Sequence, residues 1–334
     1  MKTAIDDNWR GWIGANLMLG STAEQIAHVL EASGIDPAQI QAEIKAAKAS
    51  PYVRGGNLLS ERIKKRDWLL ACYRKLANQF DSTSKVPREH QLSAQDFYQN
   101  YYFRHRPVVL SGLIDHWPAM TRWTPDYFEQ AVGDAPVQVQ FGRDEDASYE
   151  MNSLELRSEM SMREFVALLK SDEPSNNAYM TANNADANQK ALASLWPDVA
   201  GIDGYLDPAI KDRRFFWMGP RGTVTPYHHD LTNNLLVQVS GTKKVLITAS
   251  FDTPTMRNHW HCFSEWDAQS LPAGNADLER PAAFECEIGP GEALFIPVGW
   301  WHHVEALTPT IGLSFTNFVY DNDYASFYTT HGGL

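Results

Sequence analysis

The sequence predicts a mainly β protein with helical decoration, in which a double-sheet jelly roll follows a small N-terminal helical region. From Asn234 onward the chain consists of short apolar runs separated by turn residues such as Gly289-Pro290-Gly291. Short strands at this spacing are typical of jelly rolls. Before about residue 80 the apolar residues recur at helical spacing instead. The predicted strands of the second half are residues 235–239, 244–248, 284–288, 292–297 and 311–319.

The N-terminal region is predicted to contain a series of helices. One begins at Ser21-Thr22 and ends at Gly34, and the next begins at Asp36-Pro37. Ser50-Pro51 and Gly55-Gly56 are expected to break the pattern before a longer helix of about residues 58–80. We expect this region to serve packing or oligomerisation, and a role in substrate binding is the alternative. The predicted apolar side of the longer helix consists of Ile63, Leu69, Leu70, Tyr73 and Leu76.

A polar stretch at residues 81–87 is the predicted boundary between two domains, residues 1–85 and residues 86–334. Beyond it we expect strands at residues 106–112, 136–141, 178–181 and 215–218, and helices at residues 124–132 and 161–169. The runs Leu235–Val239 and Lys244–Thr248 flank the turn signal Ser240-Gly241, which predicts a β-hairpin.

Charge and cysteine content restrict the partners and the compartment. The net charge is −12, from 29 Lys and Arg residues against 41 Asp and Glu residues, which argues against nucleic acid or an anionic membrane as the main partner. Cys72, Cys262 and Cys286 are widely spaced, which fits a reducing compartment. The acidic N-terminus does not resemble a signal peptide. A cytoplasmic protein without a membrane span is therefore expected.

A metal site is suggested by the run Thr225-Pro226-Tyr227-His228-His229-Asp230. Side chains two apart on a strand point to the same side, so His228 and Asp230 can converge while His229 faces away. One further imidazole, from His302 or His303, would complete a facial triad of the kind that binds Fe(II). Taken alone, a His-x-Asp pair also occurs among ordinary core histidines.

Several motifs together resemble those of the JmjC-type, cupin-like oxygenases. They are Arg106–Gly112 with Trp117-Pro118-Ala119, the run Thr225–Asp230, Gln238–Lys244, and Ile296–Glu305. The resemblance covers about residues 95–320 and is closest to the asparaginyl-hydroxylase-like branch. It implies a double-stranded β-helix that binds Fe(II), 2-oxoglutarate and O2. The implied reaction oxidises 2-oxoglutarate to succinate and CO2 and hydroxylates a C–H bond.

The resemblance also implies roles for individual residues. His228, Asp230 and His302 match the iron ligands, and a structural role is expected for His229 and His303. The predicted 2-oxoglutarate residues are Lys243, Thr225, Asn234, Asn317 and Tyr179. Lys243 matches the lysine that pairs with the distal carboxylate, whereas its neighbour Lys244 is expected to face water. For Tyr179, simple core packing is the alternative.

The segment Ala249–Pro281 is an insertion between strands near the expected mouth of the pocket. It is interpreted either as a substrate-recognition lid or as a decorative loop. The pair His259 and His261 within it has metal-like spacing but lacks a third partner nearby. The short segment after the last strand lacks the helical dimerisation element of the asparaginyl-hydroxylase branch, so the N-terminal helices are the candidate homodimer contact.

The predicted function is a 2-oxoglutarate-dependent dioxygenase that hydroxylates a side chain of a protein or peptide. A small-molecule hydroxylase and an N-methyl demethylase are alternatives within the same class. A non-catalytic, metal-binding cupin is the alternative from a different class. Only the pocket and the insertion could separate the substrate classes.

Overall fold

A computed structural model describes residues 4–80, 85–171, 173–268, 271 and 280–332. The chain forms two compact units, Met1–Ala77 and Asn78–Leu334. The predicted domain boundary at residues 85 and 86 stays a prediction, because residues 81–84 lie outside the described part of the chain. Within the described residues, no helix combines the length and the apolar character needed to cross a membrane.

The first unit is helical, as predicted. Thr22 caps its second helix through a reciprocal capping box with Gln25, and Pro37 opens the third helix behind the cap residue Asp36. Ile13, Ile26, Leu30, Ile35, Ile40 and Ile44 form the core of this unit. The helices are α1 (Asp7–Leu19), α2 (Ala23–Ala32), α3 (Pro37–Ala49) and α4 (Pro51–Phe80).

The predicted break at Ser50-Pro51 is confirmed, because α3 ends at Ala49 and α4 begins at Pro51. The predicted break at Gly55-Gly56 is wrong, because α4 continues through both glycines. A Cβ atom on Gly56 would collide with the side chain of Met18. The glycine therefore leaves room for the Met18 side chain and does not mark a turn. The predicted apolar side of α4 is also largely uncovered, with Ile63, Leu69, Tyr73 and Leu76 all between 47% and 59% exposed.

In its described residues, the second unit contains three sheets and five short α-helices. The helices are α5 (Ala94–Phe97), α6 (Ala119–Arg122), α7 (Pro125–Val132), α8 (Met162–Leu169) and α9 (Ala185–Ala191). The strands are β1 (Arg88–His90), β2 (Val108–Ser111), β3 (Pro136–Phe141), β4 (Arg157–Ser161), β5 (Ala178–Tyr179), β6 (Arg214–Gly219), β7 (Val224–His229), β8 (Asn234–Ser240), β9 (Lys243–Thr248), β10 (Phe284–Ile288), β11 (Glu292–Ile296), β12 (Trp301–Ala306) and β13 (Thr310–Phe315).

The jelly roll consists of two facing sheets, which confirms the predicted double-stranded β-helix. One sheet has the order β1-β2-β11-β8-β13-β6 and the other has the order β10-β9-β12-β7. The third sheet, β4-β3-β5, lies beside them. The predicted strands and helices of this unit are present with small shifts at their ends.

The predicted hairpin between β8 and β9 is wrong, because the two strands belong to different sheets. β8 pairs with β11 and β13, whereas β9 pairs with β10 and β12. Ser240-Gly241 therefore carries the chain from one sheet to the other. Gly241 has a φ of 76°, which favours glycine, and a side chain there would collide with the Pro309 carbonyl.

The six-stranded sheet is covered on both faces. Leu235, Val237 and Val239 of β8 pack into the core beneath the helices, whereas Leu236 belongs to the core shared with the four-stranded sheet. This explains why β8 is apolar along most of its length rather than alternating.

Candidate metal and co-substrate site

Two histidines and one aspartate converge between the sheets. His228 of β7 lies opposite His302 of β12 in the antiparallel ladder, and their ring centroids are 4.1 Å apart. The two carboxylate oxygens of Asp230 lie 3.8 Å from His228 Nε2 and 3.8 Å from His302 Nε2. Among the described residues this is the group of three side chains close enough to share a metal ion.

The remaining ring nitrogens fix the orientation of both histidines. His228 Nδ1 lies 2.9 Å from the Pro226 carbonyl, and His302 Nδ1 lies 3.0 Å from the Trp300 carbonyl. Because a carbonyl can only accept a hydrogen bond, Nδ1 carries the proton in each ring. The lone pair of each Nε2 is then free to bind a metal beside Asp230.

The charge states of the site also suit a metal. Burial, together with the neighbouring His228, lowers the pKa of His302, so its imidazole is neutral at neutral pH. Burial would raise the pKa of Asp230, but His302, His228 and a hydrogen bond from Asn234 outweigh it and hold the pKa below its usual value. A neutral imidazole and an ionised carboxylate are the forms that bind metals.

The neighbouring histidines lie outside this group. The ring of His229 packs edge-on against Trp301, with centroids 4.7 Å apart. His303 lines a separate cavity with Lys244 and Leu246, and burial lowers its pKa to about 4. The alternation of side chains along a strand accounts for both positions.

A small cavity extends from the histidines to a buried lysine. Lys243 is 1% exposed, and its ammonium lies 3.4 Å from the hydroxyl of Tyr179. No ion pair joins Lys243 to a carboxylate in the described part of the chain, and burial lowers its pKa to about 7. Thr225 also lines the cavity and hydrogen-bonds Tyr179. The cavity thus has a candidate metal site at one end and a cluster of donors at the other.

The two asparagines predicted to bind 2-oxoglutarate differ in position, because Asn234 lines the cavity and Asn317 does not. Asn234 lines the cavity, its side-chain nitrogen donates to Asp230 Oδ2 at 3.0 Å, and its buried side-chain oxygen has no hydrogen-bond partner. Asn317 donates to the Asp207 carbonyl at 2.9 Å and does not line either cavity at the site. Ser314 and Thr316 face the cleft, so the alternation of the chain turns Asn317 away from it. The position of Asn317 does not support a role in the co-substrate pocket.

Trp217 is a residue of the site that the sequence did not single out. It lines the cavity beside Tyr179, and its indole nitrogen donates to Ser314 Oγ at 2.8 Å. Strand alternation within the predicted strand 215–218 could have shown that Trp217 and Phe215 share a side, but not that this side faces the candidate metal site.

A wider cleft of about 620 Å³ opens from the histidines to the surface. Glu150, Met151, Ser153 and Leu154 line one part of the cleft, and residues 260–263 of the predicted insertion line another. The insertion extends the sheet at β7, since the His229 N–H donates to the Cys262 carbonyl at 3.0 Å and the Ser264 N–H donates to the Tyr227 carbonyl at 2.9 Å. Its residues 269, 270 and 272–279 lie outside the described residues.

The pair His259 and His261 does not form a second metal group among the described residues. The side chain of His259 is 62% exposed and faces Glu265 at 3.8 Å. The ring of His261 packs against Tyr328 and His331 instead.

Comparison with known proteins identifies the family. The Cupin-like domain family matches residues 94–326, and the chain belongs to this family. Lysine-specific demethylase 8 of Xenopus tropicalis is 31% identical over 245 residues, which are 70% of this chain and 53% of the relative. Jumonji C domain-containing protein 5 of Drosophila melanogaster is 28% identical over 246 residues, which are 70% of this chain and 60% of the relative.

A shorter relative is matched over most of its length. The human bifunctional peptidase and (3S)-lysyl hydroxylase JMJD7 is 25% identical over 262 residues, which are 68% of this chain and 81% of the relative. The predicted membership in the JmjC-type, cupin-like oxygenases is confirmed, as are Fe(II), 2-oxoglutarate and O2 as the cofactors of this class. The chain spans little more than half the length of the first two relatives. The narrower assignment to the asparaginyl-hydroxylase branch stays a prediction.

Proposed function

We propose that the protein is an Fe(II)- and 2-oxoglutarate-dependent dioxygenase that hydroxylates a side chain of a protein or peptide. The observation that carries the proposal is the cavity between the His228, Asp230 and His302 group and the buried Lys243. A dicarboxylate that chelates a metal at one end needs a fixed cation at the other. Lys243 can supply that cation, because no carboxylate among the described residues forms an ion pair with it.

His228, Asp230 and His302 would hold the Fe(II), which supplies the activation of O2 when bound. Three ligands from the protein leave coordination positions open for the co-substrate and oxygen. Asn234 restrains the carboxylate of Asp230 through its hydrogen bond to Oδ2. The hydrogen bonds from each Nδ1–H to a backbone carbonyl prevent the two imidazole rings from turning.

Lys243, Tyr179 and Thr225 would receive the distal carboxylate of 2-oxoglutarate. An ammonium and two hydroxyl groups can donate together to one carboxylate. The cavity walls between the two ends include the apolar side chains of Leu236, Ile296 and Val304. These side chains exclude water from the co-substrate and strengthen the charge pairing at Lys243.

The open cleft favours a polypeptide substrate over a small molecule. Its rim carries exposed apolar side chains, with Met151 at 47%, Leu154 at 63% and Trp260 at 48% exposure. Exposed apolar residues around a cleft are typical of a protein-binding surface. Because the human relative is named a lysyl hydroxylase and the Xenopus relative a lysine-specific demethylase, lysyl and methyl-lysyl peptides are the first substrates to test.

The proposal is tested by incubating iron-loaded protein with 2-oxoglutarate and libraries of peptides. We expect succinate release that depends on a peptide, together with the gain of one oxygen atom in that peptide by mass spectrometry. Release of formaldehyde from a methylated peptide would assign demethylation instead. The Asp230→Ala variant is the control. If folded, iron-loaded protein releases no succinate with any peptide or with 2-oxoglutarate alone, the dioxygenase function is contradicted and a non-catalytic cupin becomes the better interpretation.

A further inference from the structure

The histidines and the carboxylate of the candidate metal site are held by different structural elements. His228 and His302 lie opposite each other in the ladder of β7 and β12, so strand pairing sets the distance between them. Asp230 lies just beyond β7, which ends at His229. Strand pairing therefore does not fix the carboxylate, and the loop that carries it needs another restraint.

Two buried asparagines provide such a restraint. The backbone N–H of Asn233 donates to the side-chain oxygen of Asn322 at 2.8 Å, and the side-chain nitrogen of Asn233 donates to the same oxygen at 3.0 Å. In return, Asn322 Nδ2 donates to the carbonyls of Asn233 and Thr316, both at 2.9 Å. The two asparagines are 2% and 3% exposed, so bulk water does not compete for these bonds.

The same pair is linked to the turn that precedes β12. The side-chain oxygen of Asn233 accepts a hydrogen bond from the Val298 N–H at 2.9 Å. Next to it, the Gly299 N–H donates to the carbonyl of Asp230 at 3.1 Å. The asparagine pair thus fastens the loop of Asp230 both to the turn that leads into His302 and to the segment after β13.

We propose that Asn322 is a positioning residue for the Asp230 carboxylate and acts on it through Asn233. This inference rests on the proposed function, because it takes Asp230 as a metal ligand. Both polar atoms of the Asn322 side-chain amide are fully hydrogen-bonded, because the oxygen accepts two hydrogen bonds and the nitrogen donates two. A side chain without this amide leaves the loop free to shift, and the carboxylate moves away from the two imidazoles.

The test measures Co(II) binding by visible absorbance to the full-length, metal-free protein. Asn322→Ala is compared with Asn188→Ala, a matched control in α9. Asn188 is 2% exposed and exchanges two hydrogen bonds of 2.8 Å with the backbone of Gln138, away from the metal site. We expect both variants to unfold at lower denaturant concentration. Co(II) affinity should fall about 10- to 100-fold in Asn322→Ala only.

The possible results separate the inference from the proposed function. Equal Co(II) affinity in Asn322→Ala and the parent would overturn the positioning role, as would an equal loss in Asn188→Ala. Absence of Co(II) binding in the folded parent would overturn the proposed function and the inference with it. If Asn322→Ala does not fold, Asn322→Ser, which keeps a hydroxyl at the same position, is measured in its place against the same criteria.

Discussion

The ammonium of Lys243 lies 3.4 Å from the hydroxyl of Tyr179, in a buried position where no carboxylate of the described chain pairs with it. An unpaired buried charge destabilises a folded protein. Burial lowers the pKa of this lysine to about 7, which is the response expected of a buried ammonium group. The arrangement is unfavourable in the protein alone and becomes favourable when an anion binds.

Lys243→Met should therefore stabilise the cofactor-free protein while it weakens 2-oxoglutarate binding. Loss of one partner of a buried charge pair typically costs about 2–5 kcal/mol, which corresponds to about 30-fold or more in affinity. Calorimetric titration of 2-oxoglutarate and thermal unfolding measure the two effects. Lys244→Met is the matched control, because Lys244 is partly exposed and pairs with Glu285 at 2.7 Å. Equal 2-oxoglutarate affinity in Lys243→Met and the parent would contradict the assignment.

The stability difference between Lys243→Met and the parent should depend on pH. The pKa of Lys243 is about 7 in the folded protein, against the ordinary value of 10.5 that a lysine has in an unfolded chain. Between these values the unfolded chain holds the proton and the folded chain does not, so the parent becomes more stable as pH rises from about 7 to about 10. The destabilisation caused by burying Lys243 is therefore largest at low pH and declines as pH rises. The advantage of Lys243→Met should be largest below about pH 7 and should shrink toward about pH 10. Denaturant titrations across this range check it, and a constant difference would show that Lys243 does not titrate as inferred.

Binding of 2-oxoglutarate should take up a proton above neutral pH. Below about pH 7 the lysine is already protonated, whereas above it the proton must be acquired before the charge pair can form. The affinity should then fall by up to about tenfold for each pH unit. Calorimetry in buffers of different ionisation enthalpy counts the protons. Binding without proton uptake at about pH 8.5 would rule out this coupling.

Substitution of His302 should weaken Co(II) binding far more than substitution of its neighbour His303. His302→Ala removes a side chain of the candidate metal site and should abolish tight Co(II) binding, whereas His303→Ala should change the affinity by less than about threefold, because its ring lines a different cavity. Absorbance titration of both variants measures this. Retention of tight binding in His302→Ala, or its loss in a folded His303→Ala variant, would reverse the assignment.

Trp260 should contribute to peptide binding and not to 2-oxoglutarate turnover. It stands at the rim of the cleft with 48% of its surface exposed. Truncation of an aromatic contact residue costs about 1–2 kcal/mol, so Trp260→Ala should raise the KM for peptide about tenfold with little change in kcat. Trp68→Ala is the control, because Trp68 is 66% exposed on α4. An unchanged KM for peptide would favour the decorative-loop interpretation of the insertion.

The sequence predicted the jelly roll and the three side chains that the structure brings together at the candidate metal site, because both depend on local patterns. Strand alternation selected His228 and Asp230 over His229, and the resemblance selected His302 over His303. Local patterns failed at Ser240-Gly241, since the same turn residues suit a hairpin and a crossing between sheets. Only the pairing of β8 and β9 with distant strands distinguishes the two.

The interaction of Asn233 with Asn322 shows what the sequence could not predict. The two residues are 89 positions apart and neither stands in a recognisable motif. Their partnership depends on the path of the chain after β13, which brings Asn322 back to the loop of Asp230. Asn317 shows the opposite case, in which a residue matched by resemblance is turned away from the pocket by the alternation of the chain.

The most direct test of the proposed function is anaerobic absorbance spectroscopy of the purified protein with Fe(II) and added 2-oxoglutarate. A co-substrate that chelates the iron produces a visible charge-transfer band, which we expect in the parent protein. The band should be lost in Asp230→Ala and should require far more 2-oxoglutarate in Lys243→Met. If the folded parent binds Fe(II) and 2-oxoglutarate produces no band, the assignment of the cavity to this co-substrate is wrong.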